Sequence, residues 1–287
     1  MRLLTGSFLA LAFMTLFAGS ANACEARFGD LDPDLDLRPN GALESVGESE
    51  IALSVETGAD ADCDLFIAFA QDPAGSTRDF PISLIGPNGE IRLQTTSGDP
   101  AIRPNSGFSA SLVADSRRTF NLRAQLPFIW GMQAGLSSGT WRVALIDRAN
   151  GDLLDIKTLG LTIDVPQESS IRFAGDVRRL DLGQLSSTSM NVAPQYAMRI
   201  LSTSSYRLTL ESDNKGRLAR TTGGAFIPYE FRLKGVLLDL ASDHIVSTSR
   251  GTSRTGDQYP ILVRVAPDEG WLAGDYLDRI SVTVTPI

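Results

Sequence analysis

Few residues in this sequence can do covalent or metal chemistry. The 287-residue chain has one histidine, His244, and two cysteines, Cys24 and Cys63. Zinc and iron–sulfur sites use several Cys or His ligands, and a Ser-His-Asp triad needs a histidine oriented by a carboxylate. There is no glycine-rich phosphate loop and no Gly-x-Ser-x-Gly motif, and His244 is expected to be solvated beside a loop. The inventory therefore predicts a protein that is not an enzyme and binds no metal or cofactor.

Acidic residues are the remaining candidates for chemistry. Asp30, Asp32, Asp34 and Asp36 alternate along one segment, and Ca²⁺ prefers such oxygen ligands. The glycine and the closing glutamate of an EF-hand loop are absent, and leucines occupy positions 31, 35 and 37. This pattern favours a strand with one acidic face. A secreted enzyme with paired carboxylates stays open as an alternative, because the sequence does not give the separation of carboxylates in space.

The composition argues against two classes of partner. Asp and Glu outnumber Lys and Arg by 34 to 26, which gives a net charge of −8. Nucleic acids and anionic membranes attract basic surfaces, so we expect the protein to bind neither. At roughly 150 residues per domain, the length suggests two domains.

The N-terminus is typical of an export signal. Arg2 precedes an apolar stretch up to Phe17, and small residues occupy positions 21–23. We interpret residues 1–23 as a signal peptide cut after Ala23; a membrane anchor or a lipoprotein signal ending at Cys24 are the alternatives. An even pair of cysteines in an exported protein predicts a Cys24–Cys63 disulfide.

The rest of the chain alternates apolar and polar residues with a period of two. Such stretches begin at Ile51, Leu65, Tyr206 and Ile280, and turn residues separate them. This pattern predicts an all-β protein with short antiparallel strands. The second half also repeats the first in the same order, with segment 51–69 matching 198–210, 82–93 matching 229–238, 120–124 matching 261–265, and 139–145 matching 274–284. The repeat predicts two immunoglobulin-like β-sandwich domains, residues 24–165 and 166–287.

The two halves differ beyond their last matching segment. In the first half another strand is expected over residues 154–163, whereas in the second half only Thr285, Pro286 and Ile287 come after segment 280–284. The sequence therefore predicts that the second sandwich lacks its last strand. An open edge aggregates unless another chain pairs with it, and donation of a strand is a known solution.

The second half resembles the spore coat protein U domain of archaic chaperone–usher pilus subunits. The similarity is carried by segments 182–185, 206–210, 229–233 and above all 273–286, where Gly-x-Tyr precedes an alternating Val/Thr strand. In the first half, Cys24 and Cys63 sit like the family's disulfide; the second half has no such pair.

The resemblance implies a tip adhesin subunit that is exported through the periplasm to the cell surface. Shaft subunits of the family carry a donor strand before their first cysteine, and Cys24 would be the first residue of the mature chain. The implied partners are a periplasmic chaperone, an outer-membrane usher, an adjacent pilin subunit that donates a strand, and an abiotic or host surface on which biofilm forms. The pleat places Ile280, Val282 and Val284 on the face that lines the groove for the chaperone or donor strand.

A loop of the first domain is the candidate adhesive site. Segment 127–139 is longer than its counterpart in the second half and contains Phe128, Ile129, Trp130 and Met132. Exposed, these side chains would form an apolar patch of the kind that marks an interaction site; the alternative is that they pack inside the domain or at the domain interface. A non-adhesive structural pilus or coat subunit is the alternative function.

Overall fold

The computed structural model describes residues 24–30, 34–71, 82–92, 107–174 and 179–287. The interpreted signal peptide and Asp32 lie outside these residues. Regular structure in the described part consists of strands. No helix there has the length and hydrophobicity that crossing a membrane requires.

The first ten strands form two packed sheets, called here the first sandwich. Their bounds are β1 Ala26–Phe28, β2 Asp34–Leu37, β3 Val46–Thr57, β4 Cys63–Gln71, β5 Ser83–Gly86, β6 Gly89–Arg92, β7 Gly107–Leu112, β8 Arg117–Pro127, β9 Gly135–Asp147 and β10 Leu153–Val165. One sheet has the order β1-β3-β8-β5-β6 and the other the order β2-β10-β9-β4-β7. The β2–β10 pair is parallel, and the other pairs of these sheets are antiparallel.

The remaining strands form the second sandwich. Their bounds are β11 Ser169–Phe173, β12 Asn191–Val192, β13 Tyr196–Ser202, β14 Tyr206–Ser212, β15 Arg217–Arg220, β16 Phe226–Pro228, β17 Glu230–Leu233, β18 Val236–Leu238, β19 His244–Ser247, β20 Asp257–Val265, β21 Tyr276–Leu277 and β22 Ile280–Pro286. Its sheets have the orders β11-β13-β20-β17-β18, with β12 beside β20, and β19-β14-β22; a small sheet β16-β15-β21 is added.

The two sandwiches share one topology. In their order across the sheet, β1, β3, β8, β5 and β6 correspond to β11, β13, β20, β17 and β18. In the second sheet, β7, β4 and β9 correspond to β19, β14 and β22. The prediction of an all-β fold with antiparallel immunoglobulin-like sandwiches is confirmed. The second sheet of the first sandwich continues past β9 with β10 and β2. Within the described residues, the corresponding sheet of the second sandwich stops at β22.

Alternating burial explains the strands and builds a core in each sandwich. In β8, for example, Phe120, Leu122, Ala124 and Leu126 are buried and the residues between them are not. The larger hydrophobic cluster belongs to the first sandwich and the smaller one to the second. The predicted disulfide is present, since Cys24 and Cys63 are bonded at a Cα–Cα distance of 5.2 Å.

Two of the four alternating acids, Asp34 and Asp36, lie on strand β2. Leu35 and Leu37 of β2 are buried, while Asp34 and Asp36 are exposed. The described residues contain no group of three or more potential metal ligands. β2 is therefore a strand with one acidic face.

Candidate functional site

Strand β22 is paired along one edge only in the described part of the chain. It runs antiparallel to β14 from the Ser212–Ile280 pair to the Tyr206–Pro286 pair. On the side away from β14, which we call the outer edge, no described strand pairs with it. An unpaired edge presents a row of free N–H and C=O groups that can accept a further strand.

Three hydrogen bonds show which residues point their backbone groups at the outer edge. The Arg279 carbonyl accepts the Asp213 N–H at 2.9 Å, and the Ile287 N–H donates to the Ser205 carbonyl at 2.8 Å, so both residues face β14. The Val284 carbonyl faces the opposite way and accepts the Ser169 hydroxyl at 3.4 Å. Because backbone groups alternate along a strand, those of Ile280, Val282 and Val284 all lie on the outer edge.

The same three residues carry the apolar face of β22. Ile280, Val282 and Val284 pack against the second hydrophobic cluster but are only partly buried, whereas Ser281, Thr283 and Thr285 are exposed. In the first sandwich the corresponding side chains of β9 are Trp141, Val143 and Leu145, and all three are buried. The apolar row of β22 is therefore incompletely covered.

The partly covered surface extends to the segment around β11. Ile171, Phe173, Leu180 and Leu182 also pack against the second cluster while remaining partly buried. β11 contacts β22, where Ser169 reaches Val284. β11 therefore lies beside β22, and its side chains Ile171 and Phe173 belong to the same partly covered core.

A partly buried polar network fixes the start of β22. The Asp278 carboxylate accepts hydrogen bonds from the Ser212 hydroxyl at 2.7 Å and from the Tyr229 hydroxyl at 2.5 Å. It also accepts the Asn214 N–H at 3.1 Å. Burial, together with the hydrogen bond to Asp278, raises the pKa of Tyr229. This network lies where the chain leaves β21 of the small sheet and enters β22.

A second hydrogen-bond network lies within the second sandwich and joins strands β14 and β20. The Tyr206 hydroxyl bonds to the Asp257 carboxylate and to the Tyr259 hydroxyl, both at 2.8 Å. Burial is the main reason that the pKa of Tyr206 is raised, with the hydrogen bonds to Tyr259 and Asp257 adding to it. Sequence reasoning missed both networks, because their members are far apart in the chain and no motif links them.

The apolar loop of the first sandwich is not an exposed patch. Phe128 is fully buried and Trp130 is 7% exposed, and both belong to the first hydrophobic cluster. Met132 packs against that cluster, and Ile129 is half-buried. Of the two alternatives for this loop, an exposed patch or side chains packed within the fold, the structure shows the packed arrangement.

This loop lies where the two sandwiches meet. The Ala134 N–H donates to the Thr203 carbonyl at 2.8 Å, and a Cβ added at Gly131, whose φ is +98°, would come within 2.8 Å of the Arg254 nitrogen. Leu201 of β13 belongs to the first cluster. The loop therefore contacts the second sandwich through Gly131 and Ala134, while Phe128 packs against Gly47 of the first.

Residues on both sides of the β10–β11 connection strengthen this junction. The Glu168 carboxylate accepts the Leu43 N–H at 3.0 Å, and the Arg172 guanidinium pairs with Glu44 at 2.8 Å. Thr203 bonds to the Pro166 carbonyl at 2.7 Å. β10 completes the first sandwich, and the connection that follows it is hydrogen-bonded to residues of both sandwiches.

A depression of about 620 Å³ lies beside the disulfide, at the end of the first sandwich away from this junction. Among the residues that line it, Arg27 and Arg117 both pair with Glu56, at 3.1 and 3.4 Å. His244, the other residue considered for chemistry, begins β19 and is half-buried.

No protein-family model and no curated protein matches this sequence. Solved structures with a similar fold include a chain of the CsuC–CsuE chaperone–tip adhesion subunit complex from archaic chaperone–usher Csu pili of Acinetobacter baumannii. It is 13% identical, with 91% of this chain and 99% of that chain covered and a TM-score of 0.41.

Two further solved structures are the CupB6 tip adhesin of Pseudomonas aeruginosa and CfaE, the adhesive subunit of CFA/I fimbria of enterotoxigenic Escherichia coli. The first is 10% identical, with coverages of 91% and 94% and a TM-score of 0.35. The second is 11% identical, with coverages of 88% and 82% and a TM-score of 0.34. At these identities the likeness concerns the fold alone.

Proposed function

We propose that the protein is a tip adhesin subunit of a chaperone–usher pilus whose second sandwich accepts a strand from the next subunit. The observation that carries the proposal is the outer edge of β22. No described strand pairs with this edge, where the Ser169 hydroxyl reaches the Val284 carbonyl, and the apolar row Ile280, Val282 and Val284 is only partly buried. A strand with alternating apolar side chains would pair with the outer edge and would also cover the apolar row.

The proposal orders the partners in time. After export with removal of residues 1–23, a periplasmic chaperone covers the outer edge of β22. At the outer-membrane usher the chaperone is replaced by a strand of the adjacent pilin subunit. The first sandwich then lies furthest from the cell, where it contacts an abiotic or host surface and supports biofilm formation.

One observation favours the second candidate, a non-adhesive structural pilus or coat subunit. The apolar loop with Phe128 and Trp130 is buried, so it offers no hydrophobic patch to a surface. Both candidates require the same strand acceptor. Deleting the gene separates them: loss of attachment with pili still assembled supports an adhesin, and unchanged attachment supports the structural role.

A probe for the acceptor can be designed from the first sandwich. There β10 covers β9, with Leu159 opposite Trp141, Lys157 opposite Val143 and Asp155 opposite Leu145. Transferred to β22, these β10 side chains would face Ile280, Val282 and Val284. The donor peptide is therefore the 153–165 sequence with Asp155→Val and Lys157→Leu, which presents apolar side chains to the whole row.

The experiment adds this donor peptide to the purified mature protein and monitors thermal unfolding. At about 100 times its Kd the peptide should raise Tm by roughly 5 °C, because it binds only the folded state. The unsubstituted 153–165 peptide is the matched control, and it should bind at least about tenfold more weakly because it sets a carboxylate and an ammonium group, in place of apolar side chains, opposite Val284 and Val282. A Tm that neither peptide changes contradicts the proposed function.

A further inference from the structure

The junction inside this chain shows how a strand that completes one sandwich connects to the next. β10 pairs with the outer side of β9 and ends at Val165, and β11 of the second sandwich begins at Ser169. The connection is held by Glu168, which accepts the Leu43 N–H, and by the Arg172–Glu44 pair. A strand that another subunit donates to β22 would be followed by the rest of that subunit, just as β10 is followed by the second sandwich.

The loop that meets the neighbouring sandwich differs between the two halves. In the first sandwich it is segment 128–134, with Phe128 and Trp130 buried at the junction. Its counterpart connects β20 to β21 and comprises residues 266–275. There Leu272 is 54% exposed, and Leu277 just beyond it is 57% exposed. The first loop is covered by a neighbouring sandwich, and the second has no such cover from the described residues.

The direction of the strands brings a donor to this loop. β10 runs antiparallel to β9, so a donor in the same relation runs antiparallel to β22 and leaves the sheet beside Ile280. Two residues separate β21 from Ile280, and the 266–275 loop leads directly into β21. The chain that continues from the donor strand therefore emerges next to Leu272 and Leu277.

The loop also has a defined charge. Asp268, Glu269 and Asp275 are exposed, and the Asp268 carboxylate accepts the Gly270 N–H at 2.8 Å. At the internal junction, the residue that reaches across from β11 is basic, since Arg172 pairs with Glu44. The acidic side chains of the loop, with the exposed Leu272 and Leu277, complement a segment that carries a basic residue and apolar side chains.

We propose that the 266–275 loop and Leu277 form a docking surface for the body of the strand-donating subunit, which reproduces between subunits the junction seen within this chain. The partner is the segment directly after the donor strand, with apolar side chains and a basic residue about seven positions past the strand, as in 166–173. The contact is head-to-tail, as a linear polymer requires. This inference rests on the proposed function.

The test compares two synthetic peptides on the full mature chain. The short one is the donor peptide, and the extended one continues it with the 166–173 sequence. The extended peptide should bind about tenfold more tightly, because it adds apolar burial and an ion pair at the loop. Leu272→Ser should remove most of this gain and leave the affinity of the short peptide unchanged.

Leu237→Ser is the matched control, because Leu237 on β18 is also 54% exposed but lies at the far edge of the other sheet. It should alter neither affinity. Equal affinities of the two peptides for the unsubstituted chain, or an extended-peptide gain that survives Leu272→Ser, would overturn the docking surface while leaving the groove intact. Failure of both peptides to bind would instead contradict the proposed function.

Discussion

Strands β9 and β22 occupy the same place in two sandwiches of one topology, yet only β9 is paired on both sides in the described structure. β9 lies between β4 and β10, whereas β22 pairs with β14 alone. The cores reflect this difference. Among the described residues, three partly buried hydrophobic residues border the first cluster, and ten border the smaller second cluster. A sheet that stops at β22 in the described part of the chain leaves its core only partly covered, because each strand of a sandwich closes part of it.

The largest expected effect contrasts the two equivalent loops. Phe128→Ala should lower the free energy of unfolding of the first sandwich by about 3–5 kcal/mol, because it leaves a cavity in a closed core. Leu272→Ala in the exposed counterpart should change stability by less than about 0.5 kcal/mol. Urea unfolding monitored by tryptophan fluorescence measures both. A similar loss in the two variants would mean that the loops are covered alike.

Removal of the disulfide should affect one sandwich only. Replacing Cys24 and Cys63 with alanine should lower the stability of the first sandwich by about 3–4 kcal/mol, since the bond closes a loop with a sequence separation of 39 residues. Amide exchange resolved by residue is the measurement. Loss of protection in β13 and β20 of equal size would show that the two sandwiches unfold as one unit.

Equivalent valines sharpen the comparison of the two strands. Val143→Ala should cost about 2 kcal/mol, because its side chain is fully buried. Val282→Ala should cost clearly less in the isolated chain, because Val282 is partly exposed. With the donor peptide bound, the cost of Val282→Ala should approach that of Val143→Ala. Equal costs without peptide would show that β22 is already covered.

The smallest effect is a pH dependence confined to the second sandwich. The pKa of Tyr206 is raised in the folded state, so the unfolded chain loses the hydroxyl proton first, near pH 10. The contribution of Tyr206 to stability is fully present below that pH and should fall above it by at most about 1.4 kcal/mol per pH unit. Tyr206→Phe should flatten this slope in pH-dependent urea unfolding. An unchanged slope would assign the alkaline loss to other groups.

The sequence predicted the fold because period-two alternation and the internal repeat are local signals that the cores require. It placed Ile280, Val282 and Val284 on one face for the same reason. It left open whether Phe128 and Trp130 are buried, because an apolar loop has the same sequence pattern whether protein or solvent surrounds it. The bonds of Asp278 to Ser212 and Tyr229 depend on strands that meet only in the folded chain, so no spacing reveals them.

Residue-resolved hydrogen exchange of the isolated mature protein tests the open edge of β22 most directly. The N–H groups of Val282 and Val284 should exchange orders of magnitude faster than those of Val143 and Leu145, because only the latter have a strand on each side. The donor peptide should bring the β22 amides to the protection seen in β9. Slow exchange at Val282 and Val284 without any peptide would contradict the account.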